Sequence, residues 1–211
     1  MKLYDCAVAP NPRRARMFIA EKSIEIEKIE IDILGGENLQ ADYLAVNPHG
    51  LLPLLELEDG TRFDEVMAIC RYLEELHPQP PLLGRTAIER AQIESLQRKM
   101  EFDGMIAGSE VFRNQHAQFA LRSIPGAGKT EIKAIPDLIA RGTQTLARFF
   151  DSLEHYLMER QFIAGESFTM VDITAVCAVD FAGWVHITIP KNHPASLRWY
   201  AAVSSRPSAK A

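Results

Sequence analysis

Apolar and polar residues recur with two different periods along the first third of the chain. Four short runs have the length and composition that are typical of strands: residues 2–6, 24–33, 53–57 and those around Phe63. Between the first two runs, Pro12 as the first helical residue and Asn11 as its N-cap predict a helix to about Lys22. Apolar residues at helical spacing over Glu65–Leu76 predict a second helix.

Beyond residue 80 the pattern is helical almost throughout. A cluster of prolines ending at Gly84 predicts a stiff linker at residues 81–85, between a first domain of residues 1–80 and a second of residues 86–211. Four segments of the second domain have helical spacing: residues 87–118, 135–158, 169–178 and 194–204. The predicted fold class is therefore α+β, with a thioredoxin-like βαβ-ββα domain followed by an all-α domain.

Composition narrows the classes of function. The 211 residues carry a formal net charge of −5, which argues against nucleic acid as a partner. No run approaches the roughly 20 apolar residues that cross a bilayer. Arginines interrupt the first 20 residues, where a leader needs an apolar segment, so we expect a cytoplasmic protein without membrane association. The three cysteines match neither a disulfide framework nor a zinc-site spacing, so we expect no metal.

The stretch 47–55 places a proline at the start of an apolar run. Pro53 has no N–H, so it belongs at the first residue of a strand or at a sheet edge. The preceding residue, Leu52, is driven into an extended conformation, and a cis Leu52–Pro53 bond would hold the bend. The N–H and C=O of Leu52 are then free to pair with an extended ligand. We therefore expect a peptide-sized ligand along this edge.

Five segments together resemble one family: MKLYDCAVAPNPRRARMFIAEKSI, NPHGLLPLLELEDG, DEVMAICRYLEELHP, GESFTMVDI and the closing RPSAKA. Their order and spacing are similar to those of bacterial cytosolic glutathione S-transferases over the whole length. The resemblance implies a thioredoxin-like domain with an appended helical domain, a homodimer, and a glutathione site on the first domain. It also implies that glutathione is the co-substrate, whose thiolate attacks a small electrophile or a disulfide.

In this family a Tyr, Ser or Cys after the first strand lowers the pKa of the glutathione thiol. The serine position falls here on Ala9, which cannot donate a hydrogen bond. The nearest donor is Asn11, our candidate catalytic residue, and an asparagine here resembles the nu-like transferases. The alternative is that Asn11 only caps the first helix. Cys6 lies within the first predicted strand, and we interpret it as a core residue.

The same resemblance points to the other glutathione contacts. Glu65 and Val66 open the second predicted helix, whose N–H groups suit the γ-glutamyl carboxylate, while Glu65 suits the neighbouring ammonium. Val66 replaces the usual serine and so removes one charge-assisted hydrogen bond. His49 is a candidate for the glycyl carboxylate, or else an exposed loop residue, and Arg14 occupies a family-typical position or forms a structural ion pair. The candidate glutathione-binding residues are Ala9, Arg14, His49, Leu52, Pro53, Glu65 and Val66.

Three residues on the first helix beyond the linker, Glu110, Phe112 and Arg113, are candidates for the pocket of the second substrate. Two further features have structural interpretations. The segment 123–130 is similar to a phosphate-binding loop, but it lacks the first glycine and a preceding strand, so we interpret it as a connection between helices. Asp172, three residues after Thr169, is expected to close a capping box.

Two functions remain open at this stage. The first is a glutathione transferase that binds glutathione, lowers its thiol pKa and directs the thiolate to a small electrophile or disulfide. The second is a binding or regulatory module of the same fold without turnover. Ala9, Leu51 and Val66 favour the second, because each lacks a polar group that the family usually places toward the ligand.

Overall fold

Leu3 and Leu55 face each other at the centre of a four-stranded sheet, and both are fully buried. The computed structural model describes the whole chain, Met1–Ala211. Its strands are β1 (Lys2–Asp5), β2 (Glu27–Glu30), β3 (Leu54–Glu56) and β4 (Arg62–Phe63), in the order β2-β1-β3-β4. β2 is parallel to β1, whereas β3 is antiparallel to both β1 and β4. Three helices complete this half: α1 (Pro10–Glu21), α2 (Ala41–Val46) and α3 (Val66–Leu76).

The second half contains only helices. They are α4 (Ala87–Lys99), a π-helical segment (Met100–Ile106), α5 (Ala107–Gln115), α6 (Pro136–Leu157), α7 (Met170–Gly183) and α8 (Pro194–Ser204). Helix α7 is buried on nearly all sides, as its almost wholly apolar sequence requires. No helix combines the length and the apolar character that a membrane crossing needs. The expected α+β class, a thioredoxin-like half followed by an all-helical half, is confirmed.

One cluster of buried apolar side chains runs through both halves. It includes Phe18 and Leu55 from the first half and Phe149 and Trp199 from the second. Burial of apolar surface is the main stabilising term in folding, so the two halves share one core. A cleft between the two halves therefore has walls that are held in place by this shared core. The boundaries of the two domains at residues 80 and 86 stay a prediction.

The end of the chain returns to the first half. Arg206 donates to both carboxylate oxygens of Glu21, at 2.8 and 2.7 Å, and Arg16 donates to the C=O of Ala211 at 3.1 Å. Burial alone would raise the pKa of Glu21, but hydrogen bonds from Arg206 and Ser208 hold it below its ordinary value. The anchoring carboxylate therefore stays ionised in mildly acidic solution.

The start of α1 differs from the sequence-based prediction. The helix begins at Pro10 with Ala9 as its N-cap, so Asn11 is a helical residue and the prediction of Asn11 as the N-cap was wrong. Both prolines fit this frame, because the first N–H groups of a helix have no intrahelical acceptor in any case. The short helix α2 was not predicted.

Asp172 does close a capping box at the start of α7, as predicted. This carboxylate is fully buried, and it accepts hydrogen bonds from the N–H groups of Ile163 at 3.0 Å and Thr169 at 2.9 Å. It also accepts one from the indole of Trp199 at 2.9 Å. One carboxylate thus joins the loop before α7, the start of α7 and helix α8.

We expect the substitution Asp172→Ala to lower the free energy of unfolding by about 3–5 kcal/mol, because it leaves several buried donors without an acceptor. Urea denaturation followed by circular dichroism measures the change. Glu166→Ala is the matched control, since Glu166 is exposed and makes no hydrogen bond, and it should leave the stability unchanged. A loss below about 1 kcal/mol for Asp172→Ala would contradict the assigned role.

Candidate functional site

A cleft of about 1030 Å³ lies between the two halves of the protein. The first half contributes the start of α1, the start of α3 and the loop that precedes β3. The second half contributes the π-helical segment, α5 and the connection from α5 to α6. The positive N-terminal ends of α1 and α3 and the loop before β3 therefore face a wall of helices. This arrangement suits a small polar ligand.

Leu52 lines this cleft with an unpaired main chain. Neither its N–H nor its C=O makes a hydrogen bond within the protein, and the Leu52–Pro53 peptide is cis. Buried main-chain polar groups are nearly always paired, yet the Leu52 residue is only 6% exposed. The free donor and acceptor therefore mark a position where an extended ligand can add one rung beside the chain.

The carbonyls just before Leu52 are, by contrast, fully used. The Leu51 C=O accepts from the hydroxyl of Tyr43 at 2.7 Å and from the side-chain amide of Asn47 at 3.0 Å. The Gly50 C=O accepts from the side-chain amide of Asn38 at 2.8 Å. Burial raises the pKa of Tyr43, so its hydroxyl stays a donor. These bonds hold the loop while Leu52 stays open.

The first turn of α1 presents Asn11 to the cleft. Pro10 and Pro12 have no N–H, and the N–H of Arg13 donates to the Ala9 C=O at 3.2 Å. The main-chain N–H of Asn11 is therefore the remaining donor of this turn. Its side chain is exposed and lines the cleft, at the positive end of the helix.

A buried network orients the Asn11 side chain. Arg14, whose side chain is 4% exposed, donates to Oδ1 of Asn11 at 3.0 Å, to Oγ1 of Thr174 at 3.1 Å and to the carboxylate of Glu101. The buried amide of Gln97 donates to the same Thr174 and Glu101 oxygens, at 2.8 and 3.1 Å. Because the Asn11 oxygen is occupied by Arg14, its NH₂ group is left to donate to a ligand. Arg14 thus forms a structural ion pair and also lines the cleft.

The start of α3 offers a second set of donors. Glu65 is the N-cap residue, but its side chain makes no capping bond, and the N–H groups of Val66 and Met67 have no acceptor in the protein. Burial, followed by repulsion from Asp64 and Glu101, raises the pKa of Glu65 above its ordinary value. Val66 is buried in the core, so only its main chain is available to a ligand. Free N–H groups beside a carboxylate suit an amino-acid head group.

Most of the residues proposed from the sequence meet in the cleft, namely Ala9, Asn11, Arg14, His49, Leu52, Glu65, Glu110 and Arg113. Pro53 and Val66 are buried behind its surface. Phe112 does not line it and packs in an aromatic cluster instead, with ring centroids 5.6 Å from Phe181 and 5.5 Å from Trp184. Phe181, which Phe112 contacts, lines the cleft instead.

Two charged side chains of α5 line the cleft, one of them ion-paired and the other without a carboxylate partner. Glu110 is ion-paired with Arg141, so its charge is compensated. Arg113 has no carboxylate partner; burial, followed by repulsion from Arg122, lowers its pKa to about 10. The guanidinium of Arg113 is therefore still charged at neutral pH. Arg122 also lines the cleft, and the sequence had not indicated it.

The segment 123–130 is a connection between helices, as predicted, but it also forms part of the cleft wall. Gly126 adopts φ +80°, and a Cβ atom there would lie 3.4 Å from Cδ1 of Leu51. No local pattern could reveal this contact, because it joins two loops from different halves of the chain.

None of the three cysteines is placed to act as a nucleophile in the cleft. All three are buried, and Cys6 packs with Ile31, Tyr43 and Leu52, as its core interpretation requires. Burial raises the pKa of Cys70 to about 12 and of Cys177 to about 11. No group of three or more His, Cys, Asp or Glu side chains is arranged to hold a metal ion.

The chain is similar to known proteins over its whole length. The family models for the glutathione S-transferase N-terminal and C-terminal domains match residues 3–81 and 131–207. Glutathione S-transferase 2 of Saccharomyces cerevisiae is 30% identical, over 100% of this chain and 88% of its own length.

Solved structures give the same result. The crystal structure of Gtt2 from Saccharomyces cerevisiae has a TM-score of 0.88 and 31% identity, and covers 100% of this chain and 99% of its own. A glutathione S-transferase domain-containing protein from Marinobacter aquaeolei also has a TM-score of 0.88, with 33% identity over 99% of both chains. The chain therefore belongs to the glutathione S-transferase family and is an enzyme of that type.

Proposed function

We propose that this enzyme binds glutathione along the Leu52 edge of the cleft and converts its thiol to a thiolate with Asn11. The observation that carries the proposal is the unpaired main chain of Leu52, which lies in one cleft with Asn11 and Glu65. A cysteinyl residue paired with Leu52 in this way would bring its side chain to the sheet half of the cleft, where α1 begins.

The N-terminal ends of α1 and α3 bind different parts of glutathione in this proposal. The free N–H groups of Val66 and Met67 donate to the γ-glutamyl carboxylate, and Glu65 pairs with the ammonium beside it. The side-chain NH₂ and main-chain N–H of Asn11 donate to the sulfur. His49 lies exposed at the cleft and suits the glycyl end.

In this role Asn11 and the start of α1 stabilise the thiolate relative to the thiol. A free cysteine thiol has a pKa near 8.5, and a depression of about two units corresponds to about 2.7 kcal/mol of preference for the anion. A hydrogen bond to a charged group contributes roughly 1.5–3 kcal/mol, and a helix N-terminus adds about 0.3–1 kcal/mol. Together these contributions come to about 1.8–4 kcal/mol, a range that includes the required value of about 2.7 kcal/mol.

The thiolate then has two classes of acceptor. In conjugation its sulfur forms a bond to an electrophilic carbon as the leaving group departs, and the thiol proton passes to solvent. In disulfide reduction it attacks one sulfur, forms a mixed disulfide and releases the other as a thiol, and a second glutathione completes the exchange. Asn11 in place of Ser, Tyr or Cys supports a nu-like class.

The same proposal includes three features carried by the family resemblance. They are a bacterial source, a cytoplasmic location and a homodimeric assembly.

We expect Asn11→Ala to raise the pKa of the bound glutathione thiol by about one unit or more, because it removes a donor to the sulfur. Ultraviolet titration of the thiolate in the complex measures this pKa. The value of kcat/KM should fall by about 10-fold or more. Asn11→Ala also removes one acceptor of the buried Arg14, so we expect the unfolding free energy to fall by about 1–3 kcal/mol, although Ala9 keeps the N-cap position.

The variant Asn11→Asp is the matched control. An aspartate keeps an oxygen for Arg14 but has no NH₂ group and adds a negative charge, so the thiol pKa should rise further than with alanine. An unchanged thiol pKa in both variants would remove Asn11 from the mechanism.

We also expect the affinity for glutathione to decrease as the pH falls, with a midpoint above the ordinary range for a glutamate. The reason is that Glu65 has a raised pKa and must be ionised to pair with the ligand ammonium. Calorimetry with S-methylglutathione across the acidic range measures the effect. Glu65→Gln should bind about 10-fold more weakly and lose this pH dependence, whereas Glu166→Gln, exposed and unpaired, should behave as wild type. A pH profile shared by all three proteins would show that Glu65 makes no contact with the ammonium.

A further inference from the structure

Two arginines of the helical half, Arg113 and Arg122, differ from the other arginines of the chain in being partly buried without an ion pair. Both line the cleft, neither is fully exposed, and neither forms an ion pair. Every other arginine of the chain is either ion-paired or exposed. An arginine that is partly withdrawn from water usually has an anionic partner. These two lack one within the protein.

Their positions are defined by neutral groups. The two guanidinium carbons lie 4.7 and 4.8 Å from the centroid of the buried Phe119 ring, as cation–π contacts. Arg113 donates to the C=O of Arg122 at 2.8 Å, and Arg122 donates to the C=O of Ile33 at 3.0 Å. Each guanidinium has five N–H donors, so several on each side chain have no acceptor in the protein.

Neither guanidinium is paired with a carboxylate. Asp32 and Glu37, in the loop that Arg122 contacts, accept hydrogen bonds from main-chain N–H groups of that loop instead. Glu110, one turn before Arg113 on α5, is held by Arg141. Burial lowers the pKa of Arg113, and the neighbouring charge of Arg122 lowers it further. A bound carboxylate would relieve this repulsion and fill the remaining donors with bidentate geometry.

The pair lies where both halves of the protein contribute to the cleft. Arg122 reaches Ile33 of the first half, beyond β2, and the chain that follows Arg122 packs on Leu51, next to the open main chain of Leu52. A ligand bound along the Leu52 edge therefore shares one cleft with the two guanidinium groups.

We propose that Arg113 and Arg122 form a carboxylate-binding subsite of this cleft. The inference rests on the proposed function, since it concerns a ligand held at the Leu52 edge. A carboxylate in this cleft has two possible sources, the glycyl end of glutathione and an acidic second substrate. In the first case the arginines bind the glycyl carboxylate in addition to His49. In the second they select electrophiles or disulfides that bear a carboxylate.

Calorimetry with two pairs of unreactive ligands tests the subsite and separates its sources. The first pair is S-methylglutathione and its glycyl ethyl ester, which differ in the glycyl carboxylate. The second pair is S-carboxymethylglutathione and S-carbamoylmethylglutathione, which differ in a carboxylate at the position of the second substrate. In one of the pairs we expect the wild-type protein to bind the carboxylate form about 10-fold more tightly.

Variants then connect that preference to the arginines. Arg113→Gln and Arg122→Gln should each reduce the preference several-fold, and Arg122→Lys should retain part of it, because lysine keeps the charge but not the planar fork. Arg148→Gln is the matched control, since Arg148 is an exposed arginine outside the cleft, paired with Asp103. Thermal melting verifies folding, and Arg122→Lys supplies the measurement where a glutamine variant is unfolded.

Equal affinity within both ligand pairs in the wild-type protein would overturn the subsite, as would a preference that persists in both glutamine variants. These two results leave the proposed function intact, because S-methylglutathione still binds. Failure of all four ligands to bind would contradict the proposed function together with this inference.

Discussion

A single buried guanidinium connects the parts of the site that come from different halves of the chain. Arg14 extends from α1 and donates to Asn11 on its own helix, to Glu101 on the π-helical segment and to Thr174 on α7. A buried arginine is tolerated only when its charge and its donors are satisfied. The contact therefore requires both halves to be in place. In return it sets the direction of the Asn11 amide, on which the proposed chemistry depends.

The second constraint is the hydrogen bonding of the main chain in the loop before β3. The loop before β3 uses its own carbonyls at Gly50 and Leu51 for bonds to buried side chains, and it leaves the N–H and C=O of Leu52 without partners. Ligand recognition at this edge needs no particular side chain from Leu52. This chain has Ala9 and Val66 where the family usually has polar residues. The main chain that can pair with a peptide ligand is nevertheless retained.

The sequence allowed most of the fold to be predicted, and less of the site. Period-2 runs, helical stripes and the capping box at Asp172 are local signals, and the structure confirms the elements that they indicated. The start of α1 was misplaced because Pro10 and Pro12 both suit the first turn, and only the folded chain selects Pro10. Phe112 and Phe181 have similar apolar character, and packing decides that Phe181 faces the cleft.

By itself the sequence determined the succession of the four strands and the longer helices, the division into a thioredoxin-like half and a helical half, and the proline that leaves Leu52 open. These features depend on neighbouring residues. Only the tertiary structure decided that Arg14 orients Asn11, and that Arg113 and Arg122 share the Phe119 ring at the cleft. Each of these local pairs depends on partners far along the chain, since Glu101 and Thr174 hold Arg14. Arg122 is held in the same way by the C=O of Ile33. The charges of these arginines find or lack partners only after the two halves have packed together.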